Sequence, residues 1–151
     1  MIALGSDHAG FPLKQVILDY LDRSRIAYID VGTKIDEKGD YPIYAKKVVA
    51  CIASGNAEKG ILFCGTGIGM AIAANKFNGI RCAVCSEPYS ARMSRTHNNC
   101  NILALGSRVV GGELAIMIVN EWLETEYDGG RHTRRLEIIH SFENESCDAK
   151  N

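Results

Sequence analysis

Short apolar runs alternate with helical patterns along most of the chain, and this alternation limits the possible folds more than any other feature. Runs typical of buried strands occur at residues 2–6, 26–31, 60–64, 80–85 and 102–106. Between them, apolar residues recur at helical spacing over residues 13–21, 45–52 and 114–122. Strands that are apolar on both faces and separated by helices indicate a parallel sheet covered on two sides. The pattern therefore predicts an α/β fold, a Rossmann-like doubly wound sandwich with a five-stranded parallel sheet.

No internal repeat or low-complexity linker divides the chain, so a single domain over residues 1–151 is expected. The one break is Glu126-Tyr-Asp-Gly-Gly130, and a last helix is predicted from about residue 133 to residue 143. That helix has only a thin apolar stripe, formed by Leu136, Ile139 and Phe142. We therefore expect residues 127–151, a linker and C-terminal helix, to lie at a subunit interface.

Charge and hydropathy argue against several classes of partner. The net charge is −1 and the pI is about 6.4, which does not suggest nucleic-acid or membrane-surface binding. The N-terminal residues lack the pattern of a signal peptide, and no apolar run approaches the ~20 residues of a membrane span. A cytoplasmic protein with reduced thiols is expected.

The spacing of Cys82 and Cys85 resembles a metal-binding or redox pair. Both residues lie in the apolar run Ile80-Arg-Cys-Ala-Val-Cys85, which is typical of a strand. Because an odd spacing puts two strand side chains on opposite faces, the two thiols are not expected to bind one ion together.

The residues that follow the predicted strands are the main candidates for a functional site. In open parallel sheets, ligands bind beyond the carboxyl ends of the strands, where neighbouring connections diverge. Gly5-Ser-Asp-His-Ala-Gly10 follows the first strand, and Cys64-Gly-Thr-Gly-Ile-Gly69 follows the third. In the common strand order 2-1-3-4-5 these two loops face one crevice.

The glycine loop at residues 65–69 has more than one interpretation. Backbone N–H groups at a helix start favour a negative oxygen, but a tight strand-to-helix turn has the same composition. A nucleotide-binding module is the main alternative, although Met70 stands where a dinucleotide motif has its third glycine. Glu87 is a weak candidate for the acidic residue that binds the ribose in such modules.

Cys64 is the most specific chemical signal, because a helix start stabilises a thiolate. Candidate partners for nucleophilic chemistry are Asp7, His8, His97 and Asn98, so a hydrolase or transferase stays open at this point. A buried, unreactive cysteine is the structural alternative.

Other candidates have structural interpretations as well. Arg131, Arg134 and Arg135 are compatible with a solvated basic cluster, and His97 with a helix C-terminal cap. His132 and His140 are expected at the surface.

Several motifs together resemble one enzyme family, the type B ribose-5-phosphate isomerases, whose superfamily includes galactose-6-phosphate and allose-6-phosphate isomerases. The similarity runs from residue 2 to about residue 142, in the same order and with nearly the same spacing. It rests on these segments: Gly5-Ser-Asp-His-Ala-Gly-Phe11, Asp40-Tyr-Pro42, Cys64-Gly-Thr-Gly-Ile-Gly69, Ala73-Ala-Asn-Lys76, Cys85-Ser-Glu-Pro-Tyr89, Arg95-Thr-His-Asn98, Gly106-Ser-Arg108 and Gly130-Arg-His132 through Arg135.

The resemblance implies an aldose–ketose isomerase that works through an enediolate, with Cys64 as the base. Some relatives instead use a glutamate where this chain has Met70. The enediolate oxygen would be stabilised by Thr66 and by backbone amides of the loop, namely those of Gly65, Gly67, Ile68 and Gly69. Asp7 would handle the hydroxyl protons and His97 would open the furanose ring.

The resemblance also implies how the substrate is held. Tyr41 and Asn98 match sugar-contacting positions, while the phosphate end matches His8, Arg108, Arg131 and Arg135. Ribose 5-phosphate is the expected substrate, with six-carbon aldoses or their phosphates as possible side substrates. No cofactor and no metal are expected. Met70 and the loop at residues 33–40 are expected to border the pocket.

The predicted topology separates His97 and Asn98 from the rest of the site. They follow the helix after strand 4, and a helix of ~10 residues returns the chain ~15 Å to the opposite end of the sheet. A homodimer, or a dimer of dimers, with a shared active site is therefore expected. Arg131 and Arg135 can reach either site.

Overall fold

The computed structural model describes residues 1–34 and 38–148, with side chains described up to residue 143. Five strands alternate with the first five helices, and a sixth helix ends the described chain. The strands are β1 (Ile2–Ser6), β2 (Tyr28–Asp30), β3 (Lys59–Cys64), β4 (Cys82–Val84) and β5 (Ile102–Gly106). The helices are α1 (Phe11–Arg23), α2 (Tyr41–Ala53), α3 (Ile68–Ala74), α4 (Pro88–Thr96), α5 (Gly112–Glu124) and α6 (Arg131–Asp148). This confirms the predicted α/β sandwich.

All five strands are parallel, but their order differs from the predicted one. The order is β2-β1-β3-β5-β4, so β5 lies between β3 and β4. The five residues of β5 are all buried, whereas β4 has three residues that are half-buried or exposed. The longer apolar strand therefore takes the inner position, and the short one forms the edge. The predicted contact between β1 and β3 is confirmed.

Alternate residues of the strands pack into two separate cores. Leu4, Ile61 and Phe63 face α1, α4 and α5, while Ala3, Leu62 and Cys64 face α2 and α3. Cys85 belongs to the first core and Cys82 packs against the second, so the prediction that they lie on opposite faces is confirmed.

The C-terminal helix is longer than predicted. It begins at Arg131 rather than at residue 133, and it continues to Asp148. Gly129 and Gly130 precede it, with φ angles of 65° and 56°, and these left-handed residues turn the chain into the helix. None of the described helices combines the length and apolar character that crossing a membrane requires.

Candidate active site

A cleft of about 500 Å³ opens at the carboxyl ends of β1 and β3. It is bounded by the loops after β1, β3 and β5 and by the start of α2. Its lining residues are Asp7, His8, Ala9, Tyr41, Cys64, Gly65, Thr66, Ile68, Gly69, Ile72 and Arg108. Nine of the residues proposed from the sequence therefore meet in one cavity, because β1, β3 and β5 are neighbouring strands whose carboxyl ends lie side by side.

The thiol of Cys64 lies at the base of this cleft. The side chain is buried, and its Sγ accepts a hydrogen bond of 3.0 Å from the backbone N–H of Gly67. Gly67 has a φ of 80°, and a Cβ there would lie 3.1 Å from the backbone of Leu105. Glycine therefore allows the chain to turn tightly enough to aim this N–H at the sulfur.

The rest of the glycine loop points towards the cleft. Thr66 Oγ1 accepts from the backbone N–H of Ile68 at 3.3 Å, and the Thr66 side chain is exposed. The next residue of α3, Met70, is completely buried in the core and does not line the cleft. The expectation that Met70 borders the pocket is therefore wrong. Its helical position points it back onto the sheet. Of the loop at residues 33–40, residues 35–37 lie outside the described part of the chain, and the others do not line this cleft.

Asp7 is held beside Cys64 by the first loop. One carboxylate oxygen, Oδ1, accepts from the N–H of Gly10 at 2.8 Å. A Cβ on Gly10 would lie 2.2 Å from the carbonyl oxygen of Phe63, so only glycine lets this loop lie directly on β3. The buried carboxylate is thus fixed at the wall of the cleft.

Arg108 and Tyr41 close the cleft at two sides. The backbone N–H of Arg108 donates to the carbonyl oxygen of Gly65 at 3.0 Å, which lays the segment after β5 across the glycine loop. The exposed Arg108 side chain supplies a positive charge there. The ring of Tyr41 packs against Gly69, where a Cβ would lie 2.9 Å from the ring.

His97 and Asn98 are not part of this cleft. His97 is the C-terminal cap of α4, and the chain then enters β5, whose first residue Ile102 pairs with Gly60. Cys64 is four residues further along β3, a distance of about 13 Å. Asn98 instead lines a second cavity, of about 450 Å³, near α6. The predicted separation within one chain is therefore observed.

His132 was expected at the surface, and this expectation is wrong. Its side chain is buried and its ring stacks on that of His97, with 4.3 Å between centroids and 12° between planes. Burial lowers the pKa of His132, and the nearby His97, Arg131 and Arg135 lower it further. His97, His132, Arg131 and Arg135 thus form one cluster, which we call the histidine cluster. It lies at the amino ends of the strands, opposite the cleft.

Sequence reasoning missed the histidine stack because it depends on how α6 returns to α4. The backbone N–H of Asp128 donates to the carbonyl oxygen of Thr96 at 3.2 Å, which brings the start of α6 to the end of α4. The adjacent glycines 129 and 130 were the available signal. Ile72 was missed as a lining residue of the cleft, although it lies one helical turn after Ile68.

Comparison with known proteins identifies the family. A sequence model described as "Ribose/Galactose Isomerase" matches residues 2–139. Ribose-5-phosphate isomerase B of Escherichia coli is 56% identical over 142 residues, which cover 94% of this chain and 95% of the relative. D-erythrulose-4-phosphate isomerase of Pectobacterium atrosepticum is 44% identical, with 95% of each chain covered.

Solved structures agree with this assignment. Ribose-5-phosphate isomerase B of Clostridium thermocellum has a TM-score of 0.94 and 50% identity, covering 96% of this chain and 98% of that one. The enzyme of Mycoplasma genitalium, solved with bound ribulose-5-phosphate, has a TM-score of 0.89 and 37% identity, covering 95% and 96%. The resemblance noted in the sequence is confirmed, and the chain belongs to the ribose/galactose isomerase family.

Proposed function

We propose that this chain interconverts ribose 5-phosphate and ribulose 5-phosphate through an enediolate, with Cys64 as the base. The observation that carries the proposal is the Cys64 thiol at the base of the cleft, with its sulfur hydrogen-bonded by the Gly67 N–H. An N–H donor interacts more strongly with a charged acceptor, so this contact favours the thiolate that removes a proton from carbon. In the forward direction the thiolate takes the proton from C2 and returns it to C1.

The negative charge that develops on the substrate oxygen needs hydrogen-bond donors beside Cys64. Thr66 and the amides of Gly65, Gly67, Ile68 and Gly69 supply donors in that part of the cleft. The carboxylate of Asp7 carries the hydroxyl proton between O2 and O1, so that each carbonyl forms as the other is reduced to an alcohol. Tyr41 contacts the sugar from the opposite wall.

His97 and Asn98 serve this cleft from a second subunit. Within one chain they lie at the amino ends of the strands, whereas Cys64 lies at the carboxyl end of β3. Large apolar side chains beside the cleft are exposed in the single chain, with Ile68 at 55% and Ile72 at 58%. A homodimer with two-fold symmetry would cover these side chains and place a partner's His97 and Asn98 over the sugar. In this assembly, residues 127–148 lie at the interface.

The phosphate is bound by groups from both subunits. His8 and Arg108 line the cleft of one chain. Arg131 and Arg135 are close enough to His132 to lower its pKa, so they accompany His97 from the other chain. Guanidinium groups suit a phosphate dianion because their paired N–H donors match its oxygens. The proximity of Arg131 and Arg135 to His132 thus favours arginines that act in trans.

A cytoplasmic location agrees with the unpaired state of the described cysteines. The five described cysteines are free, and three of them are buried. Unpaired cysteines are typical of a reducing compartment. Binding and turnover of a phosphorylated sugar require no membrane or nucleic-acid partner.

The test is turnover of aldose phosphates of different length, measured as ketose formation with EDTA present. We expect ribose 5-phosphate to be isomerised with a kcat/KM at least tenfold above that for allose 6-phosphate. Erythrose 4-phosphate should be included, because a relative is named for a four-carbon ketose phosphate. Tight binding of NAD or another nucleotide, without isomerisation of any sugar phosphate, would favour the alternative of a nucleotide-binding module.

A further inference from the structure

The turn at residues 97–100 has an unusual backbone. It carries His97 and Asn98 from the end of α4 into β5, and its third residue, Asn99, has a φ of 43°. A left-handed conformation is unfavourable for most residues other than glycine, and asparagine tolerates it best among them. A turn of this kind keeps its shape only when the surrounding structure holds it.

The side chain of Arg81 holds this turn from one side. Its Nε donates to the carbonyl oxygens of Asn98 at 2.9 Å and Asn99 at 3.2 Å, and its Nη2 donates to that of Asn99 at 2.9 Å. The backbone of Arg81 is itself fixed, because its N–H donates to Asn101 Oδ1 at 2.9 Å. The guanidinium fork thus connects the start of β4 to the two peptide units that follow His97.

A second arginine holds the same turn from inside the protein. Nη1 of the buried Arg95 donates to Asn99 Oδ1 at 3.0 Å and to the carbonyl oxygen of Cys100 at 2.7 Å. Burial lowers the pKa of Arg95, and the positive charge of Arg81 contributes to this. Two cations beside one short turn repel each other, so the carbonyl and amide oxygens of the turn must offset that cost.

We propose that Arg81 is a positioning residue that holds His97 and Asn98 in the geometry needed for opening the sugar ring in the partner subunit's cleft. This inference rests on the proposed isomerase function. A misplacement of about 1 Å can cost ~10²-fold in rate, so a turn that presents residues to another subunit must be held rigidly. Arg95 is buried among core residues and stabilises the fold as well. Arg81 is only half-buried, which makes it the better residue for a test.

Two reactions separate ring opening from proton transfer. Ribose 5-phosphate is mostly a furanose. Its C1–O4 bond must break before C2 can be deprotonated, with a proton delivered to O4 and the O1 proton removed as the C1 carbonyl forms. Ribulose 5-phosphate has its O5 blocked by phosphate and is acyclic. Exchange of its C1 proton with deuterium from the solvent therefore requires Cys64 but no ring opening.

The variants are Arg81→Ala and Arg81→Lys, with Arg92→Ala as the matched control. Arg92 is an exposed arginine on α4 that pairs with Glu121, away from the turn. We expect kcat for ribose 5-phosphate to fall about 10- to 100-fold in both Arg81 variants. The lysine keeps the charge but lacks the fork. Deuterium exchange into ribulose 5-phosphate should stay within about twofold of wild type, and Arg92→Ala should match wild type in both reactions.

Subunit mixing adds a readout that a general loss of stability would not produce. Arg81→Ala should recover activity when mixed with Cys64→Ala, because one site of each mixed dimer then has an intact base and an intact turn. It should recover none when mixed with His97→Ala. Equal losses in isomerisation and exchange, or full activity of both Arg81 variants, would overturn the positioning role. A wild-type protein that isomerises no sugar phosphate would instead contradict the proposed function.

Discussion

Cys64 has different surroundings from Cys82, Cys85 and Cys100. Burial raises the pKa of Cys85 and of Cys100, each to about 11, and it also raises that of Cys82. These three thiols stay protonated near neutral pH and act as small core side chains. The Cys64 sulfur instead meets a backbone N–H at the base of the cleft. Cys64 is therefore the one of these four thiols that we propose for proton transfer.

Replacing Cys64 by alanine should lower kcat for ribose 5-phosphate by about 10²- to 10⁴-fold or more, because a positioned base contributes that much. Substrate affinity should change little, since the proposed phosphate ligands are other residues that the substitution leaves intact. Steady-state kinetics and direct binding of the sugar phosphate measure the two effects separately. Cys51→Ala, a half-buried cysteine on α2, is the control and should retain full turnover. Near-normal kcat in Cys64→Ala would remove this thiol from the mechanism.

His132 should make the folded protein sensitive to acid. Burial, His97 and the neighbouring arginines hold its pKa below the usual value near 6.5. Between that lowered pKa and 6.5 the unfolded chain binds more protons than the folded one, so stability decreases as pH falls through this range. We expect the decrease in Tm between pH 7.5 and pH 5 to be smaller in His132→Phe than in wild type. Identical pH profiles of Tm would show that His132 does not contribute.

At the level of elements, the connection from β3 to α3 depends on one backbone conformation. Gly67 has a φ of 80° and lies against the backbone of β5. The same glycine carries the N–H that contacts the Cys64 sulfur. The loop therefore links the position of β5 in the sheet to the environment of the thiol.

Gly67→Ala should destabilise the protein by about 2 kcal/mol or more, because alanine is strained by ~1–2 kcal/mol at this φ and its Cβ meets the Leu105 backbone at 3.1 Å. The shifted amide should also lower kcat. Gly55→Ala is the matched control, since Gly55 has a φ of 76° but open space around it. The control should be destabilised only by the backbone strain, and its activity should not change. Denaturant unfolding measures both variants, and equal losses would mean that the contact with β5 is unimportant.

For the whole molecule, the separation of the cleft from the histidine cluster is the main functional consequence of the fold. Asp7 and Cys64 lie at the carboxyl ends of the strands, and His97 and His132 lie at the amino ends. Within a single chain, these two groups are too far apart to contact one small ligand. The proposed dimer removes this difficulty, because its two-fold axis brings the cleft of each subunit next to the histidine cluster of its partner.

Mixing two inactive proteins, Cys64→Ala and His97→Ala, tests this assembly. After mild dissociation and reassociation of equal amounts, half of the dimers are mixed, and each mixed dimer has one intact site. Random pairing should therefore restore about a quarter of wild-type activity. Subunit exchange is verified with differently tagged chains. Exchange without any recovery of activity would place His97 and Cys64 in the same subunit's site.

The sequence by itself determined the class of fold and one half of the site. Apolar runs and helical periodicity depend on local spacing, so β1 and β5 were predicted at their observed bounds. The loops after β1 and β3 were correctly expected to face one cleft, because parallel strands end at a common edge. Only the tertiary structure decided that β5 lies inside the sheet, that Met70 points into the core and that His132 is buried against His97. Each of these depends on which distant elements pack together, and this competition for burial has no local signature in the sequence.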